Sequence, residues 1–329
     1  MQNKKLLSTG PRKTQIIDCE MPELKPNGLI IKNRYCGVCM SEHYDWENAK
    51  EGRAFGHEPV GEVFAVGEDV EGFKVGDRVG GLWSGASIYA PANAKNVFKL
   101  SDKVTDEQAI LEPLACLISA VSKTKMTIVG ERVAVVGCGF MGCGAISLLK
   151  MRGAYVVGVD VNEEALKMAK RYGADEVYTP DTLPEHYEDI PGKGLSFRGK
   201  EGCGFRLVME WGETDESLDL ALRMTRMCGQ LAIGAYHTGP SRTVNMQMMN
   251  VKAIDCLSTH PREADFNIEC TAQALNFLTN TSWNYKSVPT KIYPITKFDL
   301  AHEELPNKFG KWMKALVDWN DFDGEPYML

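Results

Sequence analysis

Two short segments hold the residue types that bind a transition metal. The first is Cys36-Gly37-Val38-Cys39-Met40-Ser41-Glu42, and the second is Gly56-His57-Glu58. A CxxC pair alone suggests a redox couple or half of a zinc knuckle. Here no second CxxC exists, and no thioredoxin-like βαβ pattern surrounds the pair. A thiolate, an imidazole and carboxylates spread over one stretch of chain fit zinc better. A catalytic zinc ion takes three protein ligands and keeps a fourth position open.

A second constellation is suited to phosphate. Val133–Val136 is an apolar run that leads into Gly137-Cys138-Gly139-Phe140-Met141-Gly142, and a helical stretch follows to Met151. GxGxxG is weak evidence by itself, but a strand before it and a helix after it are the context it requires. Gly137 permits the tight turn, Gly139 a close approach of backbone to pyrophosphate, and Gly142 close packing of helix on strand. Phe140 and Met141 open the helix, whose N-terminus attracts anions. A further strand ends at Asp160, where a carboxylate accepts hydrogen bonds from the ribose hydroxyls of NAD. Neither Val161 nor Asn162 supplies the cation that a 2′-phosphate would need, so Gly137, Gly139, Phe140, Met141, Gly142, Asp160 and Val161 form the expected NAD site.

The elements that must carry these residues divide in two. From about residue 4 to 105, short β-branched runs (Leu29–Lys32, Val60–Val66, Arg78–Val79, Ile88–Tyr89) alternate with Gly, Pro and Asp, which predicts a barrel-like β region. From Val133 the runs Val133–Gly137, Tyr155–Asp160, Glu176–Tyr178, Arg206–Glu210, Leu231–Ala235 and Ile254–Ser258 are interleaved with helical periods. Glu163–Tyr172 and Glu216–Met227 are the clearest of these. That alternation predicts a doubly wound parallel sheet, so the fold class is α/β. Pro180 to Gly204 reads as a long loop with at most one helical turn. Beyond 262 the pattern predicts a helix (Asp265–Leu278), a short strand (Lys291–Ile295) and a last helix (Phe309–Trp319). The expected domains are 1–118 and 262–329 for a catalytic domain, with 119–261 for a Rossmann domain.

Composition narrows the function. A chain of 329 residues holds two ordinary domains, and its net charge of −7 argues against nucleic acid or an anionic membrane as partner. The N-terminal residues lack the apolar core of a signal peptide, and no apolar run is long enough to span a bilayer, so a cytoplasmic protein is expected. Ten cysteines in a chain of this length are too sparse for a disulfide scaffold and read mostly as buried thiols.

With these residues in view the sequence resembles the zinc-containing medium-chain dehydrogenase/reductase family over nearly its whole length. The likeness rests on CGVCMSE, on GHEPVGEVFAVGEDVEGFKVGDRV, on LEPLA at 111–115 and on the GxGxxG fingerprint. It implies a GroES-like catalytic domain beside the Rossmann domain, and zinc held by Cys39 and His57. Glu58 is then a ligand or close neighbour, and Glu112 a third ligand, direct or through water, as in the polyol branch. Cys36 is not a ligand. One zinc per chain is expected, because no cysteine lies between Cys39 and Cys116 to build the lobe that holds a structural zinc in many relatives.

The implied reaction is NAD-linked oxidation of a secondary alcohol: a polyol, sugar or cyclitol first, an amino alcohol such as threonine or a simple alcohol second. Zinc lowers the pKa of the substrate hydroxyl. Ser41 relays the proton, with His43 or Tyr44 at the outer end where the family usually has a histidine five residues after the ligand cysteine. A zinc-free binding or structural relative is the reading from a different class, and Cys39, His57, Glu58 and Glu112 together argue against it. His186, His237, His260 and His302 are expected at the surface or in hydrogen bonds, the second and third able to face the coenzyme. Trp46, Phe55 and Trp83 are expected in the core or lining a pocket. The family also implies a homodimer or homotetramer formed through the sheet edge near Ile254–Ser258.

Overall fold

Alternating apolar runs and turn residues make the first part of the chain a β-structure. The computed structural model describes residues 2–125, 128–190 and 202–329. It opens on a hairpin, β1 (Asn3–Gly10) and β2 (Lys13–Cys19), which the sequence pattern had not marked as strands. Next come β3 (Gly28–Val38), the short helix α1 (His43–Glu47), β4 (Glu58–Val66), β5 (Arg78–Gly81), β6 (Tyr89–Asn93), β7 (Val97–Lys99) and helix α2 (Leu111–Lys123).

The middle of the chain is a parallel sheet: β8 (Arg132–Val136), β9 (Tyr155–Val159), β10 (Glu176–Tyr178), β11 (Phe205–Glu210), β12 (Thr225–Ile233) and β13 (Asp255–Ser258). The strand order is β10-β9-β8-β11-β12-β13, so the chain reverses direction across the sheet between β8 and β11. Helices α3 (Phe140–Met151), α4 (Glu163–Arg171), α5 (Asp215–Met224) and α6 (Met246–Val251) connect the strands. Asn162 caps α4 by accepting from the backbone N–H groups of Glu164 and Ala165, and a Thr214/Ser217 capping box starts α5. The helix expected over Glu216–Met227 stops at Met224, because Thr225 onward pairs with β11 as strand. Buried valines of β8 and β9 pack with Phe205, Val208, Leu220 and Leu231 in the core of this sheet.

The remainder is α7 (Ala264–Asn280), β14 (Thr290–Pro294), α8 (Phe298–Glu304), β15 (Lys314–Asp318) and β16 (Tyr327–Met328). The helix expected at Phe309–Trp319 is in fact β15. All five of its residues are buried, with β14 on one side and β3 on the other. A strand covered on both faces shows no two-residue alternation, and the apolar run then imitates a buried helix. Residues Met1–Ala115 with Glu263–Leu329 form one compact unit and Cys116–Arg262 the other. The first is organised on an eight-stranded sheet, β16-β14-β15-β3-β4-β5-β7 with β6 on β3, and its core gathers Trp46, Phe55, Tyr293, Phe298, Trp312 and Trp319.

The unusual 180–204 segment holds two 3-10 turns, Pro180–Thr182 and Glu185–Tyr187, where at most one was expected. Residues 191–201 of that segment lie outside the described residues. Its near end is tied down at the N-terminal edge of the sheet, where the hydroxyls of Tyr155, Tyr178 and Tyr187 all donate to Glu176. These bonds hold the Glu176 carboxyl down at about 2.

Candidate metal centre and nucleotide site

Cys39 ends the extended stretch of β3 and caps a 3-10 turn, Met40–Glu42, so the chain reverses just beyond the thiol. His57 and Glu58 stand where the chain enters β4. The antiparallel register sets Glu58 opposite Gly37. Ligand atoms of Cys39, His57 and Glu58 lie within 4.8 Å of one another. A loop, a turn and a strand start thus converge, and local sequence pattern does not encode that convergence.

The neighbours of each side chain favour a cation. Glu42 accepts from His57 Nδ1 at 3.1 Å and from the Gly56 backbone N–H at 3.0 Å. Holding the proton on Nδ1 this way leaves the Nε2 lone pair as the ring's metal ligand, the arrangement usual for a metal-bound imidazole. Burial acts to lower the His57 pKa, yet hydrogen bonds and charge from Cys39 and Glu42 turn the net shift upward. That upward shift is the mark of a donor set rich in negative charge. Glu58 is fully buried, with Oε2 ion-paired to Lys314 Nζ and Oε1 lacking a hydrogen-bond partner among the described residues. A buried carboxylate oxygen left unsatisfied costs about 1–3 kcal/mol, which coordination to a cation offsets. Thiolate, imidazole and carboxylate are also the ligand types that zinc selects.

Three residues that the sequence reading missed support this cluster. Glu42 orients His57. Lys314, in the buried β15, faces Glu58 and donates to the Val38 carbonyl at 3.3 Å; burial acts to lower its pKa, and the charges of Glu58 and Cys39 reverse that. Gly37 makes room: a Cβ there would stand 1.7 Å from Glu58 Oε2. Glu42 lay in plain view inside CGVCMSE, but nothing in sequence spacing points to Lys314 or to the role of Gly37.

Ser41 Oγ donates to Cys39 Sγ at 3.2 Å, beside the candidate metal ligands. His43 and Tyr44 both belong to α1, but His43 stacks on His302 and packs at a tilt against Trp46 while the Tyr44 side chain is exposed. Glu112, half-buried in the first turn of α2, is outside the three-residue group and acts on Lys314 through its charge. Cys36 is buried, and burial with the nearby Glu42 charge pushes its thiol up to about 12. His302 corrects the expectation of a surface or hydrogen-bonded residue. It is fully buried among Trp46, Phe55 and Phe298, its ring nitrogens make no hydrogen bonds among the described residues, and burial and His43 lower its pKa to about 3.

In the other unit the glycine loop has the shape its sequence requires. Gly137 sits at φ +89°, and a Cβ on Gly142 would meet the Gly137 carbonyl oxygen at 1.8 Å. Gly139 caps α3 and has open space where a Cβ would be, which leaves backbone room for a phosphate. Phe140 and Met141 are half-buried in the first turn of α3, and Val161 is exposed past the end of β9. Asp160 accepts from the N–H of Cys138 at 2.7 Å and of Asn162 at 2.8 Å. Burial nevertheless leaves its pKa raised.

Comparison with known proteins agrees with both halves. Residues 25–104 match the alcohol dehydrogenase GroES-like domain, and residues 141–279 match the zinc-binding dehydrogenase family. The sorbitol dehydrogenase of Macaca fascicularis is 27% identical over 364 aligned residues that cover 97% of each chain. The (R,R)-butanediol dehydrogenase of Bacillus subtilis is 31% identical, over 65% of this chain and 72% of its own. The crystal structure of 2R,3R-butanediol dehydrogenase from Bacillus subtilis superposes with a TM-score of 0.75 at 21% identity, covering 96% of this chain and 99% of that one. A β-rich unit carrying a thiolate–imidazole–carboxylate cluster, joined to a Rossmann unit, defines a metal-dependent dehydrogenase. The chain belongs to the zinc-containing medium-chain dehydrogenase family.

Proposed function

We propose that this chain is an NAD-linked dehydrogenase of secondary alcohols, with polyols, sugars and cyclitols as its substrate class. The observation that carries the reading is the convergence of Cys39, His57 and Glu58, with Glu42 behind the imidazole and Glu58 Oε1 without a hydrogen-bond partner among the described residues. Relatives named for sorbitol and butanediol supply the substrate class. When bound, zinc would polarise the substrate hydroxyl and NAD would accept the hydride. Cys39, His57 and Glu58 hold the ion in this reading, with Glu112 as an outer carboxylate. Ser41, within hydrogen-bond reach of the Cys39 sulfur, takes the hydroxyl proton and passes it outward. Exposed Tyr44 suits the solvent end of that path better than His43, which is packed in aromatic surroundings. The Gly137–Gly142 loop takes the pyrophosphate and Asp160 the adenosine ribose.

The test combines metal analysis with a substrate panel. One zinc per chain is expected, and NAD reduction with polyols, sugars or cyclitols ahead of threonine and simple alcohols. Cys39→Ala and His57→Ala should each lose the zinc and nearly all turnover while NADH still binds. A metal-free wild type would sink the zinc reading, and turnover confined to amino alcohols would sink the substrate class. We also propose a cytoplasmic homodimer or homotetramer. β13 ends the parallel sheet with Asp255, Cys256 and Ser258 exposed, an edge open to pairing. A monomer by light scattering at micromolar concentration would remove that proposal.

A further inference from the structure

Glu210 is the last residue of β11 and is fully buried, yet both its oxygens are engaged. Oε1 accepts from the backbone N–H of Gly212 at 2.7 Å, the N–H of Glu213 at 2.9 Å and Ser217 Oγ at 2.7 Å. Oε2 faces His237 Nε2 at 2.9 Å. Arg242 Nε donates to His237 Nδ1 at 3.4 Å, so in the neutral ring the proton resides on Nε2 and points at Glu210. A second link runs the other way: Thr238 donates through its N–H and its hydroxyl to Glu213 Oε1, at 2.9 and 3.0 Å. One buried carboxylate and one histidine thus join the loop after β11 to the loop after β12.

Both loops are strained at the points of attachment. Glu213 (φ 60°) and His237 (φ 52°) hold left-handed backbone without being glycine. Such a conformation is costly for a residue with a Cβ and persists where the surroundings over-determine it. The place is informative as well. Glu210 pairs in register with Val136, the residue before the glycine loop. A Cβ on Gly137 would stand 2.7 Å from the Gly212 nitrogen, so the loop after β11 abuts the phosphate-binding loop. Ligands of such sheets lie at the carboxyl ends of the strands, where the strand order reverses. Here that is between β8 and β11. Asp160 at the end of β9 claims the adenosine side, so the other half of a dinucleotide extends over the ends of β11 and β12.

We infer that Glu210, His237 and Arg242 are positioning residues for the nicotinamide half of the coenzyme, locking the loops after β11 and β12 into the shape that receives it. The inference rests on the coenzyme reading above. Its test uses the full chain and two ligands that differ only beyond the adenosine diphosphoribose they share: NADH, followed by its nicotinamide fluorescence, and ADP-ribose, followed by calorimetry. His237→Ala should raise the NADH Kd about tenfold, as expected for a lost charge-assisted hydrogen bond, and leave the ADP-ribose Kd within about twofold. His237→Gln, whose amide nitrogen reaches the imidazole Nε2 position, should restore most of the NADH affinity. If His237→Ala does not fold, Thr238→Val carries the same comparison by removing one bond to Glu213 at nearly constant volume. Equal weakening of both ligands, or of neither, would overturn the inference while leaving the coenzyme reading intact. A wild type that binds neither ligand would overturn both.

Discussion

Replacing Glu42 separates a metal-orienting role from a structural one. In the folded chain its carboxylate holds two donors, His57 Nδ1 at 3.1 Å and the Gly56 N–H at 3.0 Å, and its side chain is only 12% exposed. Gly56 is at φ +106°, a turn set immediately before His57, the candidate ligand. Glu42→Ala releases both. The Gly56 bond lies on the folding side of the balance, so its loss lowers the Tm of metal-free and metal-loaded protein alike. The His57 bond is coupled to the metal, because it fixes which nitrogen carries the proton and how the ring is turned. A charge-assisted bond is worth about 1.5–3 kcal/mol, which corresponds to zinc binding weaker by roughly 10- to 100-fold. Glu42→Gln keeps an acceptor without the charge and should stay within about tenfold of wild type. The assay is zinc competition against a chromogenic chelator at fixed pH, with calorimetry on the metal-free forms. If Glu42→Ala lowered Tm but held zinc within twofold of wild type, Glu42 would be an anchor for the Gly56 turn and nothing more.

Three further perturbations test other parts of the structure. Gly37→Ala places a methyl 1.7 Å from Glu58 Oε2 and should displace that carboxylate, so zinc per chain should fall well below one; full zinc content and turnover would mean that Glu58 is not needed where it stands. Cys36 stays a neutral thiol in the folded protein, with its pKa raised from 9.0 to about 12, so its contribution is complete below pH 9 and is lost as pH rises through that window. Between pH 8 and pH 10 the wild type should therefore lose about 1 kcal/mol more stability than Cys36→Ala, and parallel denaturation curves would contradict this. Asp160→Ala should weaken NAD use and narrow the preference over NADP without reversing it, read as kcat/KM for each coenzyme; no change would mean that the ribose lies elsewhere.

What the sequence determines by itself is whatever local chemistry controls. The GxGxxG loop is legible because each glycine answers a backbone requirement within six residues, and the six parallel strands because apolar runs alternate with helical periods. Cys39, His57 and Glu58 are recognisable as metal-binding types, and family resemblance separates Cys39 from Cys36. Their grouping, however, depends on the register of β3 against β4, which pairs Gly37 with Glu58. Lys314 reaches Glu58 only because β15 lies against β3 from the far end of the chain, and the same double burial disguised that strand as a helix. His302 looked like an ordinary polar residue until tertiary packing enclosed it in aromatic rings. Glu210 and His237 meet because β11 and β12 are neighbours that end side by side. Residue type and short spacing are written in the chain. Which carboxylate meets which cation, and which histidine meets none, is decided by strand register and burial, since those fix distances between residues that no local pattern relates.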